Sequence, residues 1–275
     1  MPLRINNNIA SLSAQKNLTA ATNKLGGSFE KLSSGLRITK AADDAAGLAI
    51  SERMRAQITS FAQASRNASD GISLVQSAEG ALNEVSAILT RMRELAVQSS
   101  NETNSTDDQD TLDDELQQLV SEVDRISQAT AFNGINLLDG SDSSLNIQVG
   151  AGTDSSVDQI AITLDSARTS ALTLDSLDIG SGGNASTAIT NIDNAINEVA
   201  RIRGQLGATQ NRLSSTLNNL SVSVENLQAA ESQIRDVDVA FETSRLTRNS
   251  IVQQAAISVL AQANVQPQAA LSLLG

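Results

Sequence analysis

Residues 72–96 read ISLVQSAEGALNEVSAILTRMRELA, and this stretch decides the fold class. Apolar residues recur there at almost every third or fourth position, at Ile72, Val75, Ala78, Leu82, Val85, Leu89, Met92 and Ala96. That spacing places them on one face of a helix, and a seam this regular lets two helices interlock along their length. The stretch therefore predicts a long helix packed lengthwise against another helix.

Two further stretches carry the same kind of seam. Apolar residues at helical spacing run from Leu112 to Ile126 and again from Ile189 to Leu227. Because a helix rises 1.5 Å per residue, one of ~40 residues is about 60 Å long. These lengths predict a rod rather than a globule.

Between residues 129 and 185 the apolar period changes from 3.6 to 2, which is typical of strands. The two alternating sets are Leu145, Ile147 and Val149, and Ile160, Ile162 and Leu164. A turn-rich stretch, residues 150–156, separates them and predicts a β-hairpin. The predicted fold is thus mainly α: a long antiparallel, coiled-coil-like helical rod with a small β-hairpin element and both termini together at one end.

The two ends of the chain carry weaker apolar stripes. Gly26, Gly27 and Gly35 interrupt the first one, and each interior Gly costs a helix roughly 1 kcal/mol relative to Ala. Isolated helices are marginal in water, so these ends need a partner, either one another or other copies of the chain. The candidate contact residues are Ile5, Ile9, Leu12, Leu18, Leu25, Phe29, Leu32, Leu36, Ile234, Phe241, Val252, Val259, Leu271 and Leu274.

Composition excludes several classes of function. The 275 residues include no His and no Cys, so imidazole bases, Ser-His-Asp triads, thiolate nucleophiles and zinc-thiolate sites are absent, and we expect no enzyme, cofactor or metal. A net charge of −12 disfavours nucleic acid and anionic membranes as partners. The acidic run at residues 107–115 lacks the ligand spacing of an EF-hand and indicates a helix start or a solvated helix face.

We also expect no signal peptide and no membrane span, because residues 1–10 lack an apolar segment and no 18-residue apolar run exists. This fits a cytoplasmic protein, and it fits equally a protein that a dedicated machine exports without a cleavable signal.

Several motifs resemble those of bacterial flagellins. In the first half they lie at Leu32–Ile38 (LSSGLRI), Asp43–Ile50 (DDAAGLAI), Ala64–Ile72, Arg91–Gln98 and Phe132–Leu138 (FNGINLL). In the second half they lie at Val259–Asn264 (VLAQAN) and Ala269–Leu274 (AALSLL). The family more often has Val directly before Pro, where this chain has Val265-Gln266-Pro267.

The resemblance implies a structural subunit that self-assembles into the flagellar filament for motility, in a short form without variable outer domains. It implies secretion through the flagellar type III channel to the extracellular flagellum, and terminal segments that fold on assembly. The resemblance also implies a division into domains. Residues 1–42 and 235–275 would be the two halves of an inner filament-core domain. Residues 43–178 and 189–234 would form the rod domain, with the hairpin near 145–164, and residues 179–188 would be a turn region in place of outer domains.

The resemblance also implies partners: copies of the chain in a homopolymer, a flagellar export chaperone, and filament cap and hook-junction proteins. A host Toll-like receptor is a further implied partner, with Arg91, Leu95 and Glu115 at the matching positions. Two alternatives are a hook–filament junction protein of the same fold, and a soluble coiled-coil adaptor or secretion needle protein.

Overall fold

A computed structural model describes residues 7–272, with the side chains of residues 7–266. Its elements follow the chain in this order: α1 (Ile9–Ser34), α2 (Ala45–Ser99), α3 (Thr106–Ala129), β1 (Ala131–Phe132), β2 (Ile135–Asn136), β3 (Ser144–Gln148), α4 (Ser155–Asp158), β4 (Gln159–Thr163), α5 (Ala185–Arg235) and α6 (Val239–Ser272). Within the described part of the chain, no helix combines the length and the apolar character needed to cross a bilayer.

The chain packs as two compact units. The terminal unit comprises residues 1–58 and 225–275, and the central unit comprises residues 59–224. Helices α2 and α5 each contribute residues to both units. The predicted limits of the filament-core segments, 1–42 and 235–275, concern the assembled filament and stay a prediction.

The core of the central unit is built on the seam of residues 72–96. Leu82, Leu89 and Met92 are fully buried in it, and one apolar cluster joins them to side chains of α3, α5 and the β-hairpin. Helices α2 and α5 run antiparallel, because Arg93 Nε lies 2.6 Å from Asp193 Oδ1 while Arg203 Nη2 lies 4.0 Å from Glu79 Oε1. The predicted long helices and their antiparallel packing are confirmed.

The predicted hairpin is confirmed as the antiparallel pair β3–β4. Leu145 lies opposite Ile162 and Ile147 opposite Ile160, so the alternating apolar residues of both strands share one face. The connection between the strands is more ordered than its turn-rich sequence suggests, since α4 forms within it with Asp154 as N-cap. A second, two-residue pair, β1–β2, turns at Asn133 and Gly134, both with positive φ.

The stretch that leads into the predicted turn region, 179–188, belongs to the core. Leu172, Leu174, Leu177 and Ile179 are each 4% exposed or less. Their spacing of two, three and two residues fits neither a helix nor a strand, so periodicity alone does not reveal their burial.

The glycines of the first apolar stripe take two different positions in α1. Gly26 and Gly27 interrupt the stripe but lie inside the helix. Gly35 ends the helix and takes the left-handed conformation (φ 72°) that closes many helices.

Candidate assembly surface

Helices α1 and α6 pair through a seam of small side chains within the terminal unit. Ala14, Ala21 and Ser28, spaced seven residues apart, are the buried residues of α1. Hydrogen bonds tie the pair at both ends: Asn8 Nδ2 donates to the Ala263 carbonyl at 2.8 Å, and Asn249 Nδ2 donates to Ser28 Oγ at 3.2 Å. These contacts make the pair antiparallel, and its seam buries small side chains rather than large apolar ones.

The candidate contact residues of the N-terminal segment divide into two sets. Leu18, Leu25 and Leu32 of α1, and Leu36 just after it, are half-buried. Ile9, Leu12 and Phe29 instead face outward and are 65%, 68% and 67% exposed. Three large apolar side chains of this helix are thus left mostly uncovered in the subunit.

The described candidate residues of α6, Phe241, Val252 and Val259, are all exposed. Ile234, at the end of α5, is half-buried. Ile5 and Leu274 lie outside the described residues, and Leu271 belongs to α6 but its side chain is not among those described. A filament-contact role for all of these residues stays a prediction.

Four further exposed apolar residues of α6 were missing from the candidate set: Val239, Ile251, Ile257 and Val265. The sequence shows that these four residues are apolar, but they do not repeat at a single helical spacing, because they lie on more than one face of α6. Large exposed apolar surfaces mark sites of association, so α1 and α6 together form the candidate assembly surface.

A short main-chain clamp joins the segment that follows α1 to the segment that precedes α6. Arg37 N donates to the Arg235 carbonyl at 2.7 Å, and Val237 N donates to the Gly35 carbonyl at 3.0 Å. Two side chains reinforce it. Arg37 donates to the Ile234 carbonyl, and Arg235 Nη1 lies 2.7 Å from Glu52 Oε1.

The loop between α1 and α2 is organised by the Asp43 carboxylate. Its Oδ2 accepts hydrogen bonds from Thr39 N (3.1 Å), Thr39 Oγ1 (3.0 Å) and Lys40 N (3.2 Å). These donors, the Thr39 amide first, lower the pKa of Asp43 because they stabilise its charged form. The next residue, Asp44, accepts from Gly47 N at 2.9 Å and so holds the first turn of α2.

The acidic run at residues 107–115 starts a helix, as predicted. Ser105 is the N-cap of α3 and forms a reciprocal capping box with Asp108, whose pKa is lowered by the Ser105 hydroxyl. Asp110 and Asp113 accept from the backbone N–H groups of Ser181 and Ile179, so the run also anchors the buried loop before α5. Within the described residues, no cluster of acidic side chains is arranged to hold a metal ion.

The three candidate receptor residues do not form one patch. Arg91 and Glu115 do meet: the Arg91 Nη2 and Nε atoms lie 2.8 and 3.0 Å from Glu115 Oε1, and both side chains are about half exposed. Leu95, however, is 0% exposed and belongs to the core. Leu95 therefore offers no accessible surface beside Arg91, because its side chain points into the seam.

The fold and this surface define a class of protein: mainly α-helical proteins whose paired terminal helices expose large apolar side chains. Comparison with known proteins then gives the family. Residues 5–143 match the family model described as the bacterial flagellin N-terminal helical region, and residues 189–274 match the bacterial flagellin C-terminal helical region.

Full-length relatives agree with both matches. A flagellin of Halalkalibacterium halodurans is 53% identical over 271 residues, which cover 98% of this chain and 99% of the relative. A flagellin of Bacillus subtilis is 45% identical over 307 aligned positions, covering 99% of this chain and all of the relative. The crystal structure of Bacillus cereus flagellin is similar at a TM-score of 0.50 and 36% identity, over 60% of this chain and 94% of that one.

The chain belongs to the bacterial flagellin family. It is accordingly a structural subunit of a flagellar filament, in a short form of 275 residues. Relatives of nearly the same length, matched end to end, favour this assignment over a soluble adaptor or a needle protein.

Proposed function

We propose that this subunit polymerises through the candidate assembly surface, with residues 1–42 and 235–275 forming the inner core of the filament and residues 43–234 surrounding it. The observation that carries the proposal is the outward orientation of large apolar side chains on both terminal helices, Phe29 and Ile251 being 67% and 61% exposed. Full burial of such a side chain contributes about 1.5–3 kcal/mol, so neighbouring copies that cover these residues stabilise the filament strongly.

Seeded assembly tests this proposal. Purified protein given short filament seeds should grow long filaments, which electron microscopy counts and measures. Phe241→Asp should abolish growth by placing a charge on the assembly surface. Val222→Asp is the matched control, because Val222 is exposed to a similar degree (56% against 60%) on α5 of the central unit. Growth that stops at small oligomers in the unmodified protein would contradict a filament subunit.

Export to the extracellular flagellum through the type III channel is part of the same proposal. The seam of Ala14, Ala21 and Ser28 buries little apolar area, which supports terminal helices that separate easily for passage through a narrow channel and close again on assembly. A flagellar export chaperone would cover the exposed apolar residues of α6 before secretion. Filament cap and hook-junction proteins would be the neighbours at the two ends of the filament.

We propose in addition that Arg91 and Glu115 form the accessible part of a surface for a host Toll-like receptor. Their half-exposed ion pair supports this, because arginines in well-packed interfaces often dominate the binding energy. In a receptor-reporter assay with monomeric protein, Arg91→Ala and Glu115→Ala should each lower potency, the former by about thirtyfold, equivalent to roughly 2 kcal/mol.

Arg201→Ala is the matched control for Arg91→Ala, since Arg201 is a similarly exposed arginine of the central unit that pairs with Glu198 and Asp165. If the unmodified monomer does not activate the receptor, or if the Arg91 and Glu115 variants activate it as potently, the receptor proposal is wrong. The assembly proposal would be unaffected.

A further inference from the structure

The turn between β1 and β2 holds the only Asn-Gly pair in the chain, Asn133-Gly134. Phe132 and Ile135 lie opposite one another across it, so the turn itself consists of two residues. Both residues take positive φ, 50° and 81°, which is the type I′ geometry that favours Asn followed by Gly. Turn geometry therefore explains why these two residue types stand here, and it also places two groups side by side that can react with each other.

The two groups that would react are both accessible. Asn133 and Gly134 are exposed. Within the described part of the chain, neither the Asn133 carboxamide nor the Gly134 N–H group has a hydrogen-bond partner. A Cβ added to Gly134 would meet no atom within 4 Å, so no neighbouring side chain crowds this residue.

Two other asparagines, Asn104 and Asn249, precede a serine, and both are held by their carboxamides. Asn104 Nδ2 donates to the Gln98 carbonyl at 2.6 Å, and Asn249 Nδ2 donates to Ser28 Oγ at 3.2 Å. Each of these carboxamides must give up a hydrogen bond before it can turn towards the next amide nitrogen. The Asn133 carboxamide has no such bond to break.

We propose that Asn133 is a site of spontaneous covalent modification, at which asparagine converts to aspartate and isoaspartate. The Gly134 nitrogen attacks Asn133 Cγ and closes a five-membered succinimide. The Cγ–Nδ2 bond breaks, and ammonia leaves with the proton of the Gly134 amide. Water then opens the ring: aspartate forms when the new N–Cγ bond breaks, and isoaspartate forms when the original peptide bond breaks. Water is the only other reactant, and no electrons are transferred.

The folded chain can reach the reactive geometry because little structure opposes it. Ring closure needs rotation about the Cα–C bond of Asn133, which opens the β1–β2 pair. That pair is only two residues long in each strand, and short exposed ladders open at a small fraction of the free energy of global unfolding. The reaction therefore does not require the central core to unfold.

The two products affect the turn differently. Aspartate tolerates the left-handed conformation as asparagine does, so it keeps the turn and adds one negative charge. Isoaspartate inserts its Cβ into the main chain, so a two-residue turn no longer sets the same register between the strands. That register matters because Leu137 and Leu138, directly after β2, are each 1% exposed in the core.

Peptide mapping of aged protein tests the site. Folded full-length protein is incubated in mildly alkaline buffer, its fold is checked by circular dichroism, and tryptic peptides are analysed by mass spectrometry. The peptide from Ile126 to Arg168 contains Asn133 together with Asn136 and Asn146, which serve as internal controls. Fragment ions should place the mass gain of NH₂ replaced by OH at Asn133, and the two controls should remain unmodified.

Two variants separate this site from the rest of the chain. Asn133→Gly removes the carboxamide, and glycine keeps the positive φ of the turn. This variant should lose the isoaspartate signal that enzymatic isoaspartyl methylation detects. Asn146→Ser, at an exposed position of β3, is the matched control and should retain it.

Three results would overturn the proposal. They are no mass gain at Asn133 in the folded chain, equal gains at Asn133 and Asn146, and conversion that occurs only in urea. In addition, the aged unmodified protein should melt below its starting midpoint, whereas aged Asn133→Gly should keep its own. An unchanged midpoint after isoaspartate has formed would overturn the inferred loss of register.

Discussion

Replacing Leu89 by alanine is the sharpest test of the central core. Leu89 is 0% exposed in the middle of the α2 seam, and the change removes three buried carbon atoms. At about 0.8 kcal/mol for each buried CH₂, the transfer contribution is ~2.4 kcal/mol. The cavity left behind adds to it, so we expect a loss of about 2–5 kcal/mol in the free energy of unfolding. In a unit of this size that corresponds to a melting midpoint lower by roughly 5–15 °C.

The assay is thermal unfolding of the full chain followed by far-UV circular dichroism, with Leu82→Ala as a second core variant. Leu12→Ala is the matched control: the same deletion on a side chain that is 68% exposed should change stability by no more than about 0.5 kcal/mol. Midpoints of both core variants within error of the control would refute the seam as the origin of stability.

Three further predictions address the terminal unit and α3. In monomer, trypsin should cleave after Lys24 and Arg248 faster than in filament, because both residues are exposed on helices whose shared seam buries only small side chains. Ser105→Ala should lower stability by about 0.5–2 kcal/mol through loss of the α3 cap, as measured by urea unfolding. The pKa of Asp43 is lowered in the folded state. The contribution of its carboxylate to folding stability is therefore present above the unfolded pKa of about 3.9 and is lost as the pH falls through the folded value. Between pH 7 and pH 3, Asp43→Asn should lose less stability than the unmodified chain does.

Each of these has a clear contrary outcome. Equal protease resistance of the terminal helices in monomer and filament would contradict their opening. Ser105→Thr keeps a capping hydroxyl and serves as the control for Ser105→Ala; equal stability of the two would show that the cap contributes little. An unchanged pH dependence in Asp43→Asn would mean that the bonds from Thr39 and Lys40 add no net stability.

Periodicity predicted the central unit well because its seam residues are large, regular and buried within one chain. Leu82, Leu89 and Met92 repeat at spacings of seven and three, and all three are fully buried. The sequence predicted the hairpin equally well, because a period of two places the apolar residues of each strand, such as Leu145 and Ile162, on one face.

The terminal helices were harder to read because two heptad sets run side by side along α1. Ala14, Ala21 and Ser28 repeat every seven residues, and so do Leu18, Leu25 and Leu32. The apolar pattern does not tell which set is buried inside the subunit and which residues face outward. Leu95 illustrates another limit of periodicity. Its spacing of four from Arg91 puts both residues on one side of the helix, but the spacing does not show that Arg91 is exposed while Leu95 is buried.

The clamp between Gly35–Arg37 and Arg235–Val237 bears on how load travels through the subunit. Its two central bonds are made by backbone N–H and C=O groups, so they need no particular side chain and would be lost only with proline at residue 37 or 237. They link the segment that follows α1 directly to the segment that precedes α6. While the clamp holds, a pull on α1 is therefore shared with the connection into α6 before it reaches the first turns of α2. The clamp acts where both connections meet, so it can transmit load between them even when the helices beyond it have separated.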